Sequence, residues 1–417
     1  MSAACQSLPV VFCGPPDPER TKSPPPSLRY RHPAGFYTLC VAEFFERWAA
    51  CAISCSTVLM LCERYGHTRG DALRLAGLWN AAIYLSTLPG GLAVDRFMGP
   101  RHGLGVGMAL LAIGYAALLR ADFAALYMAL GLMLVGHALF KPSTQALIGT
   151  LYRPHDRRLD AAQITFYLVL NAGGTVGALT SGLLLRRHEF RILCAVAAAA
   201  MLAGLTILRL GKQTLRARHQ STHQITDSMP PVPASARRSR VLRIIGMTLA
   251  MMVYTVGFGQ VEGSLFLWAQ DRTDRMLCGF EIPASWFVGL PAFLVLLLAP
   301  LQLAVLPAIQ RRISTSRMVA WGVVAIGAAF AVLIPPALWS DSHRVSMLWL
   351  VACMTLMTLG ELLVAPLGLS MIVRLTPPRF VGVVVGSWYV AGALGYWLSG
   401  ELGAGWISHV LPPISRS

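Results

Sequence analysis

Three charged residues lie close together in an apolar part of the sequence. Glu43, Glu46 and Arg47 belong to the stretch 34–62, which otherwise consists almost entirely of apolar residues. On a helix, spacings of three and four residues place these side chains on one face. A charge in the middle of a membrane-spanning helix costs about 2.5–3.5 kcal/mol, so it requires a partner or a function. We predict that this face points into a helix bundle, because lipid cannot solvate it.

Two further ionisable residues lie within apolar runs. Lys141, in GHALFKPSTQ, ends one such run, and Glu361, in LGELLVAP, lies inside the segment 344–373. Together with the first three charges they leave one negative charge unbalanced, and a buried surplus of this kind tends to take up a proton or a cation. This is what a proton-coupled carrier of an amine-bearing substrate requires. The alternatives are an inert ion-pair cluster that positions helices, and a Lys141 that extends to the membrane interface.

A second polar face occurs in the stretch QITFYLVLNAGGTVG. Gln163, Tyr167 and Asn171 are four residues apart, so their side chains stack on one side of a helix. The glycines that follow allow close approach of a neighbouring helix. Two interpretations stay open, polar contacts between helices and contact with a substrate. Further candidates for substrate contact are Gln260, Glu262 and Trp388.

The composition indicates a polytopic membrane protein. Hydrophobic residues make up 55% of the 417 residues and charged residues only 13%, about half the usual share. The mean hydropathy is +0.58, and apolar runs long enough to cross a bilayer as helices recur along the chain. The net charge of +16 arises from basic residues in short loops, which suits lipid headgroups and membrane topology better than nucleic acid.

The apolar runs divide the chain into two helical halves joined by a basic linker. We predict a disordered cytosolic tail at 1–33, a first bundle at 34–209, a cytosolic linker at 210–240, and a second bundle at 241–417. The predicted spans are 34–62, 72–94, 102–119, 122–141, 162–184 and 190–209, then 241–269, 284–309, 317–338, 344–373 and 380–402. The remaining stretch, GAGWISHVLPPISRS, is too short and too rich in proline to span a bilayer, so a twelfth span is truncated or absent.

The distribution of loop charges predicts the orientation. Lysine and arginine are more frequent in the loops that would be cytosolic if the N-terminus were cytosolic, although the outer stretch RRHEFR also carries arginines. Six spans, a linker and a second group of spans are typical of transporters with two pseudo-symmetric halves and a substrate site near the midplane. We therefore expect an all-α, multi-pass protein of the cell (inner) membrane with its N-terminus in the cytosol.

Several of these stretches resemble motifs of the proton-dependent oligopeptide transporters, a branch of the major facilitator superfamily. EFFERW resembles the ExxER motif of the first helix in that family, and FKPSTQALIGTLY resembles the lysine motif of the fourth helix. FYLVLNAGG is similar to the family's FYxxINxG signature, and GELLVAPLGLSMIVRLTPPRFVGVVVGSWY to its helix-ten to helix-eleven region. GGLAVDRFMGPRHG, which contains Asp95 and Arg96, resembles the cytosolic gating loop. The resemblance covers most of residues 36–400 in the same order.

The resemblance implies the major facilitator fold and a role for each matching residue. Glu43, Glu46 and Arg47 match the motif that couples proton movement to transport, and Lys141 matches the lysine that pairs with it. Glu361 matches the glutamate that receives the amino terminus of a peptide. Tyr84 and Asn171 match positions that contact the peptide.

The sequence departs from the family pattern where the peptide carboxylate is held. Ala50, Cys51 and Ala52 replace a pair of tyrosines and a glycine, and Ser54 replaces an arginine seven residues after the motif arginine. Pro291 stands where the family has an asparagine that assists the peptide amine. Replacing an arginine with serine removes the best available partner for a carboxylate. We therefore expect intact coupling residues together with an altered preference for substrate.

These observations predict a proton-coupled transporter that imports di- or tripeptides, or a related amine-bearing solute, by alternating access. The alternatives are a relative that senses or binds without transport, and an exporter of a drug or metabolite. The expected partners are the small peptide or related solute, protons and membrane lipids, with no nucleic acid. The sequence shows no nucleophile, base and orienting group together, so no enzyme activity is expected, nor any cofactor or metal site.

Overall fold

The computed structural model describes residues 32–152, 156, 158–186, 189–215, 234–340, 343–376 and 380–410. The helices of the first half are α1 (Ala34–Ser54), α2 (Thr57–Glu63), α3 (Arg69–Ala93), α4 (Pro100–Ala117), α5 (Phe123–Leu151), α6 (Arg158–Leu185) and α7 (Phe190–Leu210). Those of the second half are α8 (Ala234–Glu262), α9 (Ser264–Asp271), α10 (Ala284–Gln310), α11 (Thr315–Ala331), α12 (Ile334–Trp339), α13 (Leu348–Leu375) and α14 (Val381–Val410). The prediction of an all-α membrane protein is confirmed.

Very short strands lie between the helices of the second half. The strands are β1 (Thr273–Asp274), β2 (Met276–Leu277), β3 (Phe280–Glu281) and β4 (Val345–Ser346). β1 pairs with β4 in parallel, and β2 with β3 in an antiparallel hairpin. Cys278 and Gly279 form the hairpin turn with φ of 49° and 81°, the left-handed values that a two-residue turn requires. The sequence pattern does not predict these strands, because each contains only two residues.

The helices have the length and composition of membrane spans. Within the described residues, seven helices are long and apolar enough to cross a bilayer, and α1 with α2 makes an eighth if the pair counts as one span. These two helices are bent by 45° to each other, at a break next to Ser56. The Ser56 hydroxyl donates a hydrogen bond of 2.7 Å to the Ile53 carbonyl oxygen and so satisfies one backbone group at this break.

Side-chain caps and a glycine set several helix ends. Thr68 accepts a hydrogen bond from the Asp71 N–H at the start of α3, and Asp122 accepts one of 2.7 Å from the Ala125 N–H at the start of α5. This bond favours the charged carboxylate, so the pKa of Asp122 lies below its usual value. α3 continues into a π-helical segment, Val94–Met98, which ends at Gly99 with φ of 73°.

The two halves meet along two pairs of helices. α3 packs against α14, and α6 packs against α10, whereas α1 packs within its own half against α6 and α7. The approach of α6 to α1 depends on glycines, as the sequence predicts. A Cβ atom on Gly173 would lie 2.5 Å from the Phe44 carbonyl oxygen, and one on Gly177 would lie 2.5 Å from the Trp48 carbonyl oxygen. This contact holds the charged face of α1 inside the bundle.

Some predicted boundaries differ from the structure. α8 begins at Ala234, so the last residues of the predicted linker 210–240 are helical, and positions 216–233 lie outside the described residues. Of the predicted disordered tail 1–33, only His32 and Pro33 are described. α14 ends at Val410 and includes GAGWISHV, so the start of the predicted partial twelfth span continues the eleventh; positions 411–417 are not described.

Candidate functional site

The charged residues of α1 form a buried cluster. Glu46 and Arg47 are fully buried and Glu43 is almost fully buried. The Arg47 Nε atom lies 2.8 Å from the Glu46 Oε2 atom and 3.4 Å from the Glu43 Oε1 atom. Both terminal nitrogens of Arg47 are buried without a hydrogen-bond partner. One guanidinium therefore neutralises part of the charge of two carboxylates, which makes the cluster sensitive to a single proton.

Helix α5 adds a lysine and a histidine to this cluster. The Lys141 Nζ atom lies 3.9 Å from the Glu46 Oε1 atom, and the His137 Nδ1 atom lies 3.1 Å from the same oxygen. Lys141 is only 6% exposed, because α5 continues ten residues beyond it to Leu151. The alternative in which Lys141 extends to the membrane interface is therefore wrong. The pairing of Lys141 with α1 matches what the motif resemblance implies.

The sequence analysis did not identify His137. This residue lies four positions before Lys141 and thus on the same face of α5. The sequence does contain a signal for His137, because a histidine inside an apolar run is unusual and its spacing of four residues from Lys141 is that of one helix face. The structure adds the fact that its imidazole is fully buried between the Glu46 carboxylate and a cavity described below.

Glu361 lies in the other half of the protein and contacts the polar face of α6. Its fully buried carboxylate accepts a hydrogen bond of 3.3 Å from the Tyr167 hydroxyl, which links α13 to α6. The other carboxylate oxygen, Oε2, has no hydrogen-bond partner. Asn171 donates a hydrogen bond of 2.8 Å to the Tyr167 carbonyl oxygen, and its own Oδ1 atom is unpartnered. The structure thus brings three of the predicted residues into one polar patch between the halves.

Two other predicted substrate contacts, Tyr84 and Trp388, pack between helices. The Tyr84 ring lies 5.3 Å from that of Tyr396 on α14. Trp388 packs against Gly368, where a Cβ atom would meet the indole at 2.6 Å. The fully buried rings of Tyr84 and Trp388 therefore have neighbours within the protein. Their contact with a substrate stays a prediction.

Gln260 links α8 to α14. Its side-chain amide donates hydrogen bonds of 2.9 Å to both the carbonyl oxygen and the hydroxyl of Ser399. The amide oxygen of Gln260 also accepts from Ser264. These bonds engage both ends of the amide group, and the proposed role of Gln260 in substrate binding stays a prediction.

The predicted gating residues lie at one end of the bundle. Asp95 and Arg96 are exposed and belong to the π-helical segment between α3 and α4. The nearest aromatic contact of Arg96 is with Phe97, 5.9 Å from guanidinium carbon to ring centroid. The gating role of this segment stays a prediction.

A small cavity of about 20 Å³, close to the size of one water molecule, lies beside the ion-pair cluster. Residues from α1, α2, α3, α4, α5 and α8 line it, among them Ser54, Trp79, Asn80, Tyr115, His137 and Glu262. The Asn80 side-chain amide donates a hydrogen bond of 3.2 Å to the Glu262 carboxylate. Because α3 and α8 belong to different halves, this bond crosses the interface at the cavity.

Ion pairs join the two halves at the end of the bundle where α3 begins. Arg69 pairs with Asp271 at the end of α9, and the Arg74 Nε atom lies 3.2 Å from the Glu401 Oε2 atom on α14. Between α3 and α14 the backbones almost touch, since a Cβ atom on Gly77 would lie 2.7 Å from the Gly400 Cα atom. The halves are therefore closed against each other at this end.

Within the described ranges, no group of three or more His, Cys, Asp or Glu residues is placed to hold a metal ion. The Cys51 and Cys55 Sγ atoms are 3.6 Å apart, and both side chains are buried.

A polytopic helical protein with a buried ion-pair cluster and a cavity between two halves has the architecture of a secondary transporter. A model of the Major Facilitator Superfamily matches residues 49–400, and the chain belongs to this superfamily. The chain is 28% identical over 459 aligned positions to the peptide transporter YePEPT of Yersinia enterocolitica subsp. palearctica serotype O:3 (strain YE-P4), covering 92% of this chain and 90% of that relative.

Other relatives and solved structures agree with this assignment. Identity to the dipeptide and tripeptide permease A of Klebsiella pneumoniae (strain 342) is 24%, with 89% of this chain and 84% of the permease covered. A crystal structure of the peptide transporter POT in complex with sulfate superposes with a TM-score of 0.82 at 23% identity, covering 93% and 92% of the two chains. A POT family transporter in complex with 5-aminolevulinic acid also gives 0.82, at 20% identity and 91% and 92% coverage. These matches confirm the major facilitator fold and the resemblance that the motifs predicted.

Proposed function

We propose that this protein is a proton-coupled secondary transporter that imports di- or tripeptides, or a related amine-bearing solute, by alternating access. The observation that carries the proposal is the buried cluster of α1 and α5, in which Glu46 approaches Arg47, His137 and Lys141. The names of the relatives, which are peptide transporters and permeases, support the substrate class. The protein would act in the cell (inner) membrane with its N-terminus in the cytosol.

Proton coupling follows from the contacts of Glu46. As an anion it attracts Arg47 on its own helix and Lys141 on α5, so the charge holds α1 and α5 together. Taking up a proton removes this attraction and leaves the two cations to separate. Glu43, 3.4 Å from the same guanidinium, can then take Arg47 as its sole partner in the cluster. A proton on either glutamate therefore changes how tightly the first half is held.

Substrate binding is assigned to the polar patch around Glu361. Its Oε2 atom has no hydrogen-bond partner, and a buried carboxylate in this state favours a cationic ligand. The amino terminus of a peptide supplies such a cation and three hydrogen-bond donors. Glu361 and Tyr167 belong to different halves, so a substrate bound at this patch would contact both halves.

Alternating access is assigned to the motion of the halves about this patch. The ion pairs Arg69–Asp271 and Arg74–Glu401 close the end where α3 begins. With the N-terminus in the cytosol, as the loop charges predict, this end would lie on the outer side of the membrane. In the proposed cycle, the bundle is open either at this end or at the opposite end. Protonation and substrate binding together shift the equilibrium between these two states, so falling pH outside drives uptake.

The test is proton influx into liposomes that contain the purified protein, under an acid-outside gradient, with and without dialanine. We expect dialanine to increase the influx in the wild type. The increase should persist in the control variant Glu63→Gln, which removes an exposed carboxylate at the end of α2. We expect no increase in Glu46→Gln, which keeps the shape of the side chain but removes its charge.

Other outcomes separate the alternatives. Equal stimulation in Glu46→Gln and wild type would contradict the coupling role of the cluster. Absence of stimulation, beside a peptide carrier that responds, would indicate a different substrate or a relative that binds without transport. Substrate leaving the liposomes as protons enter would identify an exporter.

A further inference from the structure

The cavity beside α1 offers hydrogen-bond acceptors that the protein itself does not satisfy. Asn80 is 5% exposed and lines the cavity, and its Oδ1 atom has no hydrogen-bond partner. Ser54 is 7% exposed, lines the same cavity, and its hydroxyl is also unpartnered. Buried polar atoms without a partner destabilise the folded protein, so we expect a ligand or a water molecule to hydrogen-bond with them.

A carboxylate completes this set of acceptors. Glu262, at the end of α8, is 8% exposed and lines the cavity opposite α1. The Asn80 amide NH₂ group donates to Glu262, which turns the Asn80 Oδ1 atom away from that carboxylate and leaves it as an acceptor. An ammonium group has three donors and no acceptor, so it matches a carboxylate, an amide oxygen and a hydroxyl oxygen.

The charge around the cavity favours the same ligand. Among its described lining residues none is lysine or arginine, and His137 is the one basic side chain. Among the buried ionisable groups of the described chain, carboxyl groups also outnumber permanent cations, although the protein as a whole is strongly basic. The buried carboxylates are Glu43, Glu46, Glu262 and Glu361, and the buried permanent cations are Arg47 and Lys141.

We propose that the cavity lined by Ser54, Asn80 and Glu262 is a subsite for a second cationic group of the substrate, an ammonium on a side chain. This inference rests on the proposed function, in which Glu361 receives the first amine. It makes peptides with a basic side chain the preferred substrate class. The site spans α1 and α3 of one half and α8 of the other, so occupancy bridges the halves through the Asn80–Glu262 pair.

The experiment compares alanyl-lysine with alanyl-norleucine, which has nearly the same shape but no side-chain ammonium. Calorimetric titration of the full-length protein in detergent should give a Kd about tenfold lower for alanyl-lysine. In Glu262→Gln the two affinities should agree within about twofold. The matched control Glu63→Gln removes an exposed carboxylate outside the cavity and should keep the preference.

A second variant tests the site if Glu262→Gln does not fold. Ser54→Arg introduces a guanidinium into the cavity and should reverse the preference, so that alanyl-norleucine binds more tightly than alanyl-lysine. An unchanged preference in Ser54→Arg or in Glu262→Gln overturns the subsite.

The outcomes for the subsite and for peptide transport are distinct. Equal affinities in the wild type overturn the subsite, and dipeptide-driven proton influx would still support transport. If neither peptide binds but 1,5-diaminopentane does, with affinity that depends on Glu262, the subsite is supported and the peptide proposal fails. If none of the three ligands binds, both proposals fail.

Discussion

At the scale of single residues, the buried glutamates have different surroundings. Glu46 has a guanidinium, an imidazole and an ammonium within 4 Å, whereas Glu43 has the same guanidinium at a longer distance. Glu361 has neutral tyrosines beside it, Tyr167 at 3.3 Å and also Tyr254. Opposite charges favour the ionised carboxylate and burial opposes it, so each glutamate is placed for a different task. Glu46 suits coupling, and Glu361 suits cation binding.

Replacing His137 with asparagine should separate coupling from binding. The imidazole lies 3.1 Å from Glu46 and is the side chain that joins the cluster to the cavity. In His137→Asn we expect dipeptide-driven proton influx to fall about tenfold, because a hydrogen bond to a charged group contributes about 1.5–3 kcal/mol. Dialanine affinity at constant pH should change less than threefold.

The control for this variant is His343→Asn, which changes an exposed histidine just before β4. It should transport at the wild-type rate. Equal losses in both variants, or a loss of dialanine affinity in His137→Asn as large as the loss of influx, would contradict a specific coupling role for His137.

Replacing Glu361 should abolish recognition of the substrate amine. Wild-type protein is expected to bind dialanine at least tenfold more tightly than N-acetyl-dialanine, which lacks the charged amine. Glu361→Gln should bind the two equally. Tyr167→Phe removes one hydrogen bond of 3.3 Å to Glu361. It should lower the affinity for dialanine by only about two- to fivefold, since neutral hydrogen bonds contribute about 0.5–1.5 kcal/mol. Discrimination that survives in Glu361→Gln would place the amine elsewhere.

At the scale of helices, close packing and helix length decide which side chains enter the bundle. α6 approaches α1 through glycines, and the charged residues of α1 are buried in the bundle. α5 continues past Lys141 to Leu151, which keeps the lysine within the bundle. The bend between α1 and α2 turns the chain just after Ser54, at the wall of the cavity. Each feature positions a residue of the site.

Gly177→Ala should disturb the contact between α1 and α6. The added Cβ atom would lie 2.5 Å from the Trp48 carbonyl oxygen, so a helix must shift at a cost of about 1–3 kcal/mol. The thermal unfolding temperature in detergent should therefore fall. Gly105→Ala on α4 is the matched control, because no heavy atom lies within 4 Å of its added methyl group. Similar decreases in both variants would show that the loss of glycine, rather than the contact, is responsible.

At the scale of the molecule, polar contacts cross between the two halves at several places, and the cavity lies where the halves meet. Ion pairs and the contact of Gly77 with Gly400 close one end. The bonds Tyr167–Glu361 and Asn80–Glu262 cross the interface nearer the middle. Contacts of this kind are weak one by one, which is compatible with the proposed alternating access, in which the interface opens and closes.

Reversing one charge at the closed end should alter the transport rate, and reversing both should restore it. Arg69→Asp places two negative charges together at Asp271 and opens this end, and Asp271→Arg in the same protein restores the attraction. We expect the single change to alter the rate of dialanine-driven proton influx about two- to fivefold, in line with partly exposed ion pairs. Arg120→Asp, in an exposed pair within one half, should have no effect. Failure of the double variant to recover would contradict a pairwise role.

The sequence by itself determined the membrane class, the charged face of α1 and the resemblance to peptide transporters. These follow from local properties, namely runs of apolar residues, helical spacing and short motifs. Tertiary structure decided which distant residues meet. Arg74 and Glu401 are 327 positions apart in the sequence, and Tyr167 and Glu361 are 194 positions apart, so no local pattern predicts these contacts. It also placed His137 beside Glu46, and Asn80 beside Glu262. The cavity between them exists only where six helices from two halves converge.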